Sequence, residues 1–262
     1  MRDSKILAKL RSGKTALTFS VSCGVNTKAV EFAGRLGFDG VWIDMEHRNL
    51  TDADVETLIL ASRTADVDTV VRIRKGSYTN YFRPLEAGAS AIMAPHIKDR
   101  AEAELAVYNT RYPPIGRRGF DNAGADGDFC LAPPLEYLEH ANRETLLIAQ
   151  IEDPEAIDRL DDIIGVEGMD VLFVGPADLS VAMGIPFQFD HPKLLDVYER
   201  VATAAQNAGK WWGTVGINAE WVKRHCERGG RLFNTGSDQM TLYFGMRDRL
   251  TEYRELLGDA VQ

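Results

Sequence analysis

Asp44, Glu46, His47 and Arg48 fill four of five consecutive positions at the end of an apolar run, "GVWIDMEHRN" (40–49). Such a cluster fits a solvated turn, a metal site or an acid–base pair. His47 can move protons near neutral pH, the more so when a carboxylate orients it. Four other apolar runs also end in polar groups. Arg72 closes "VVRI", His96 follows "AIMAP", Gln150 and Glu152 close "LLIAQIE", and Asp178 lies in "GPADLS". Glu152 and Asp178 are hard oxygen donors, a pair suited to Mg²⁺ or Mn²⁺ that keeps several waters. Such an ion has positions left for a bidentate 2-oxo acid, and as a Lewis acid it stabilises an enolate. Arg72, permanently charged and fork-shaped, can support the same developing oxyanion. No lysine ends an apolar run, and the nearest, Lys75 in "RKGS", sits in a loop. A metal-stabilised enolate therefore fits better than a Schiff base.

Plainer roles compete. Asp178 suits a helix N-cap, Glu152 precedes a helix start, and Arg72 could be a structural ion-pair partner. Structural and functional readings of His96 stand level. His140, His191 and His225 fall in helices or loops and read as surface or capping residues.

The elements that must position these groups are legible as eight apolar segments, at 16–22, 41–46, 69–73, 91–95, 146–152, 171–176, 211–217 and 232–237. Most are near-continuous apolar runs, as parallel strands covered on both faces require. Helical periodicity separates them, for example at 26–36, 52–64, 100–110, 154–164, 192–208 and 219–228, and Gly37, Gly88, Gly209 and Gly229 supply stops. Eight alternations predict an α/β fold, a closed (β/α)₈ TIM barrel, with residues 1–262 as a single domain. No GxGxxG follows the first strand, which argues against a dinucleotide-binding sheet. In such a barrel the strand C-termini share one rim, so residues scattered in sequence converge there. About fifty residues separate the fourth and fifth strands, and the Gly-, Pro- and Asp-rich stretch 111–134 reads as an ordered functional loop. Residues 1–14 read as a short amphipathic helix without the apolar stretch of a signal peptide. The final "MTLYFGMRDRLTEYRELL" reads as a long helix, apolar enough to pack on another subunit.

A net charge of −9 excludes a generic phosphate-binding surface, so no nucleic-acid partner is expected. No apolar run approaches a membrane span. Cys23, Cys130 and Cys226 lack metal or redox spacing and are expected to be buried, reduced thiols of a cytoplasmic protein.

The segments "FDGVWIDMEH", "VVRI", "LEAGASAIMAP", "TRYPPIGRRG", "QIED", "VEGMDVLFVGPADLSVAMG" and "GSD", in this order, resemble the HpcH/HpaI family of class II pyruvate aldolases. The resemblance spans about residues 5–250. It implies a metal-dependent aldolase that reversibly cleaves a 4-hydroxy-2-oxo acid to pyruvate and an aldehyde. It further implies His47 as acid–base, Arg72 as enolate stabiliser, and Glu152 and Asp178 as ligands of Mg²⁺, Mn²⁺ or Co²⁺. Gln150 and the backbone at Ala177 and Asp178 would hold the pyruvate part. The family also gives its histidine a carboxylate partner, matched here by Glu86, with Asp44 as the alternative by sequence. A homohexamer, a trimer of dimers with the last helix exchanged between subunits, is implied as well. The chain departs from the pattern at "FDNAGADGDF" (120–129), at His96 and at "WWGTVGI", which leaves the acceptor aldehyde open. Asp121, Asp126 and Asp128 in that loop either shape the aldehyde pocket or solvate the loop. Competing activities are oxaloacetate decarboxylation, cleavage of a CoA ester through the same enolate, or non-catalytic sensing of a 2-oxo acid.

Overall fold

The computed structural model describes residues 1–258. The apolar segments form eight strands: β1 (Ala16–Val21), β2 (Gly40–Asp44), β3 (Asp68–Arg72), β4 (Ala91–Ala94), β5 (Leu146–Ile151), β6 (Val171–Val174), β7 (Trp211–Val215) and β8 (Leu232–Ser237). Each pairs in parallel with the next, and β8 pairs with β1 to close the barrel. The predicted (β/α)₈ fold is present. Several strands stop short of their predicted ends because the polar residues there leave the ladder. After β2, for instance, the Asp44 carboxylate accepts the Glu46 and His47 N–H groups at 3.0 and 3.2 Å and turns the chain.

Helix α1 (Lys5–Arg11) precedes the barrel. The surrounding helices are α2 (Thr27–Leu36), α3 (Asp52–Thr64), α4 (Tyr78–Glu86), α5 (Arg100–Thr110), α6 (Pro134–Glu144) and α7 (Leu160–Ile164), the last entered through a 3₁₀ segment, Pro154–Arg159. Then follow α8 (Pro176–Ala182), α9 (Pro192–Asn207), α10 (Ala219–Glu227) and α11 (Asp238–Leu257). Side chains of Asn26, Thr51, Asp99 and Asn218 cap α2, α3, α5 and α10 by accepting a first-turn N–H.

Strand residues alternate between two apolar layers. Ile43, Val71, Ala149, Ile151 and Val174 face the helices. Trp42, Val70, Met93, Ile148, Phe173 and Leu232 fill the barrel interior, which Ile6, Leu7 and Leu10 of α1 also join. Asp68 anchors α1 by accepting from the Ser4 hydroxyl at 2.6 Å and the Ile6 N–H at 2.9 Å. The parity has a direct consequence. Asp44, Arg72 and Gln150 stand two places beyond interior Trp42, Val70 and Ile148, so they point into the same mouth.

Three expectations need correction. The cysteines are free but not buried: Cys23 and Cys130 are exposed and Cys226 is half-buried. All three lie outside the strands, in loops or on α10. His225 is neither a surface nor a capping residue. Its ring is fully buried among Tyr198, Trp212 and Trp221. Of the aspartates in the 111–134 stretch, Asp126 does more than solvate it, whereas Asp121 and Asp128 are exposed. Asp126 pairs at 2.6 Å with buried Arg118 and accepts from the Tyr137 hydroxyl at 2.7 Å. The Ala125 N–H donates to the Glu86 carbonyl at 2.8 Å, fastening this stretch to the end of α4. His191, by contrast, caps α9 as expected. Among the described residues, no helix is long and apolar enough to cross a membrane.

Burial, reinforced by Arg228 and Arg224, pushes the His225 imidazole down from 6.5 to about 4. The folded state thus favours the neutral ring, whereas an unfolded chain protonates it near 6.5. Its contribution is fully present above pH 6.5 and is lost as pH falls toward 4, amounting to about 3 kcal/mol. His225→Phe should flatten that pH dependence. Urea unfolding at pH 7 and pH 4.5 checks this, and equal losses in both proteins would refute it.

Candidate active site

The rim is organised by Asp44 and Arg72, which the β2–β3 register sets opposite each other. Arg72 donates from Nε at 3.0 Å and from a terminal nitrogen at 2.7 Å to the two Asp44 oxygens, a bidentate pair. The guanidinium lies over the Trp42 ring, 5.3 Å from its centroid, and Glu46 Oε2 approaches its other terminal nitrogen at 3.3 Å. Burial alone would raise the Asp44 carboxyl, but Arg72 and the two backbone N–H groups hold it below its ordinary value. Asp44 is therefore ionised and Arg72 fixed before any substrate arrives.

Glu152 sits just beyond β5 and is almost wholly buried. Its Oε1 accepts the His96 N–H at 3.0 Å, and its Oε2 accepts from Gln150 Nε2 at 2.6 Å. Gly175 makes this approach possible, because a Cβ there would stand 2.7 Å from Glu152 Oε2 and 3.0 Å from Gln150 Nε2. Burial pushes the Glu152 carboxyl up to about 7; His96 and Arg72 pull it down, and Glu46 pushes it further up. A buried carboxylate held this way gains from a cation.

Donor atoms of Glu46, His96 and Glu152 all lie within 4.8 Å of one another. Gln150 Oε1 and Glu46 Oε2 are buried without hydrogen-bond partners, the Glu46–Arg72 approach being an ion pair without hydrogen-bond alignment. Two carboxylates, an imidazole and unsatisfied oxygens fit a divalent ion.

The other sequence-predicted residues fall as follows. His47 is half-exposed on the rim, with Nε2 3.9 Å from Glu46 Oε2. Asp44 binds the His47 backbone while its carboxylate is given to Arg72, so the carboxylate beside the His47 imidazole is Glu46. Ala177 and Asp178 occupy the exposed first turn of α8, and Asp178 is not a member of the Glu46–His96–Glu152 group. Glu86 closes α4, where burial raises its carboxyl and its charged neighbours are Arg118, Asp126, Asp121 and Arg83. Sequence reasoning missed Asp153, which accepts from His96 Nδ1 at 2.9 Å, and Lys75, whose ammonium donates to the His96 carbonyl at 2.6 Å. It also missed the hold of Asp238, at the head of α11, on the Ser22 and Cys23 N–H groups after β1. Adjacency of Asp153 to Glu152 was the available signal for the first.

Fold and rim together define a TIM-barrel protein with a polar, cation-compatible site at the strand C-termini. The chain belongs to the HpcH/HpaI aldolase/citrate lyase family, whose model matches residues 19–243. It is 32% identical over 240 residues to a 4-hydroxy-2-oxo-heptane-1,7-dioate aldolase of Shigella sonnei, covering 92% of this chain and 91% of that one. Against a 2-keto-3-deoxy-L-rhamnonate aldolase of Salmonella gallinarum it is 29% identical over 247 residues, 94% and 92% of the two chains. The crystal structure of an HpcH/HpaI aldolase from Desulfitobacterium hafniense superposes with a TM-score of 0.91 at 29% identity, over 96% of this chain and 97% of that chain.

Removing one partner of the Asp44–Arg72 pair leaves a buried charge poorly compensated. Asp44→Ala should cost about 3 kcal/mol, and Asp44→Ala combined with Arg72→Met should recover most of it. Urea unfolding of the double-mutant cycle measures the coupling, and strict additivity would show that the pair is not what holds the rim.

Proposed function

We propose that this protein is a carbon–carbon lyase, a class II aldolase that reversibly cleaves a 4-hydroxy-2-oxo acid to pyruvate and an aldehyde. The observation that carries the reading is the convergence of Arg72, Gln150, Glu152 and Glu46 on one barrel mouth in a chain of this family. Glu152 would hold a divalent cation, Mg²⁺, Mn²⁺ or Co²⁺, with Asp178 as the second ligand that the resemblance implies. Such an ion supplies Lewis-acid polarisation of the 2-oxo acid.

The remaining work falls to side chains. Gln150 and the first-turn N–H groups at Ala177 and Asp178 bind the pyruvate portion. His47 takes the proton from the 4-hydroxyl; the C3–C4 bond breaks, the aldehyde departs, and its electron pair becomes the pyruvate enolate. Arg72, clamped by Asp44, presents a fixed positive charge to the developing oxyanion, so little reorganisation is needed as charge forms. A proton delivered to C3 completes pyruvate. Glu46 lies nearest the His47 imidazole, and Glu86 is the partner that the resemblance implies.

The last helix bears on association. Met240, Leu242, Tyr243, Phe244, Met246, Leu250, Tyr253, Leu256 and Leu257 of α11 are all exposed in the single chain. We infer a homohexamer of dimers in which α11 covers a second subunit. Its cytoplasmic placement is inferred from the three free cysteines.

Chelation should abolish cleavage, and Mg²⁺, Mn²⁺ or Co²⁺ should restore it; full activity after rigorous metal removal refutes the mechanism. Arg72→Ala should eliminate exchange of pyruvate methyl protons with deuterated solvent, followed by NMR. His47→Ala should slow cleavage about 10²–10⁴-fold, and wild-type exchange or cleavage in these variants would remove the assigned roles. The family also spans citrate lyases, so oxaloacetate and a CoA ester belong in the same assay. A larger kcat/KM on either would move the chain to that reaction.

A further inference from the structure

His96 is held more firmly than a rim histidine needs to be. Its φ of +52° lies in the left-handed region, uncommon for a residue with a side chain. Three interactions fix it there. Its N–H donates to Glu152 Oε1 at 3.0 Å, its carbonyl accepts from Lys75 Nζ at 2.6 Å, and its Nδ1 meets Asp153 Oδ2 at 2.9 Å. Asp153 is itself steadied by Lys98, 3.5 Å away. Backbone strain maintained by surrounding contacts marks a residue whose direction matters.

That direction is toward the carboxylates. Nδ1 also lies 3.6 Å from Glu152 Oε1; with its hydrogen donated to Asp153, the lone pair is on Nε2, which lies 3.5 Å from Glu46 Oε1. Donors bound at about 2.1 Å to one ion stand roughly 3–4 Å apart, so this spacing suits shared ligation. A carboxylate on the far ring nitrogen is the arrangement that sets the tautomer and basicity of a metal-binding histidine. Nearby, Gln150 is 2% exposed and its Oε1 has no partner, an additional unsatisfied donor beside Glu152.

We propose that His96, oriented by Asp153, supplies a nitrogen ligand through Nε2 to a cation shared with Glu46 and Glu152 at the barrel mouth. The inference rests on the metal-dependent reading above and goes beyond it, since the carboxylate pair alone offers only oxygen. An imidazole biases the site toward Mn²⁺, Co²⁺ or Zn²⁺ over Mg²⁺, which strongly prefers oxygen.

The test is pulsed EPR of the full-length protein loaded with Mn²⁺ alone, without substrate. The wild type should show ¹⁴N modulation from a directly bound imidazole. His96→Leu should lose it, whereas His47→Asn should keep it. Asp153→Asn, which disturbs the fold less, should weaken Mn²⁺ binding by about 10–100-fold. Mn²⁺ bound with no ¹⁴N modulation, or modulation that survives His96→Leu, overturns the proposal and leaves the metal-dependent reading standing. Failure of the wild type to bind Mn²⁺, seen as an undiminished free-ion signal, overturns both. Loss of binding in Glu152→Gln with modulation still assigned to His96 in the wild type supports both.

Discussion

A carboxylate and a guanidinium facing each other across one pair of parallel strands give this barrel a defined mouth. Asp44 and Arg72 are both ionised, both largely withdrawn from water and joined by two hydrogen bonds. Their mutual compensation permits charged residues one interior step beyond apolar Trp42 and Val70. The pair also reaches outward. The same Asp44 carboxylate gathers the Glu46 and His47 N–H groups, and the same Arg72 attracts Glu46. Removing it would disturb the turn carrying His47 as well as the charge proposed to meet the enolate.

A second cluster is built on the opposite electrostatic footing. Around Arg72 the positive charge is already present, whereas Glu46, Glu152 and Asp153 set three carboxylates against His96, Lys98 and an Arg72 guanidinium already engaged by Asp44. Burial lifts the Glu152 carboxyl toward neutral pH, so the site gains when a cation enters. One half of the mouth is thus self-compensated, and the other would be completed by a bound cation. This asymmetry suits a 2-oxo acid, whose carboxylate and carbonyl oxygens can approach the cation side while enolate charge develops toward Arg72.

The barrel was largely legible in the chain because parallel strands covered on both faces must be continuously apolar, and the interruptions between them carried helix caps. Strand ends were less so, since a polar residue such as Glu46 or Glu152 continues the run in sequence while its side chain leaves the ladder. His225 was misjudged because helical position says little about burial when the neighbours, Tyr198 and Trp212, come from other elements. Asp126 was underestimated for a similar reason: its partner Arg118 is near in sequence, but the enclosure by Tyr112 and Tyr137 depends on how α6 packs.

Residue types, their order and the eightfold alternation of strands and helices were enough to select a closed α/β barrel and to put Asp44, Arg72, Gln150 and Glu152 on one rim. They also carried the resemblance to aldolases that the family match bears out. Tertiary structure decided the pairings. The β2–β3 register gave Asp44 to Arg72 instead of to the His47 imidazole. The approach of β4's exit to β5's end turned His96 from an open question into a neighbour of Glu46, Glu152 and Asp153. The physical reason is range: alternation and capping act within a few residues, whereas a hydrogen bond from His96 to a side chain 56 or 57 positions away depends on barrel closure.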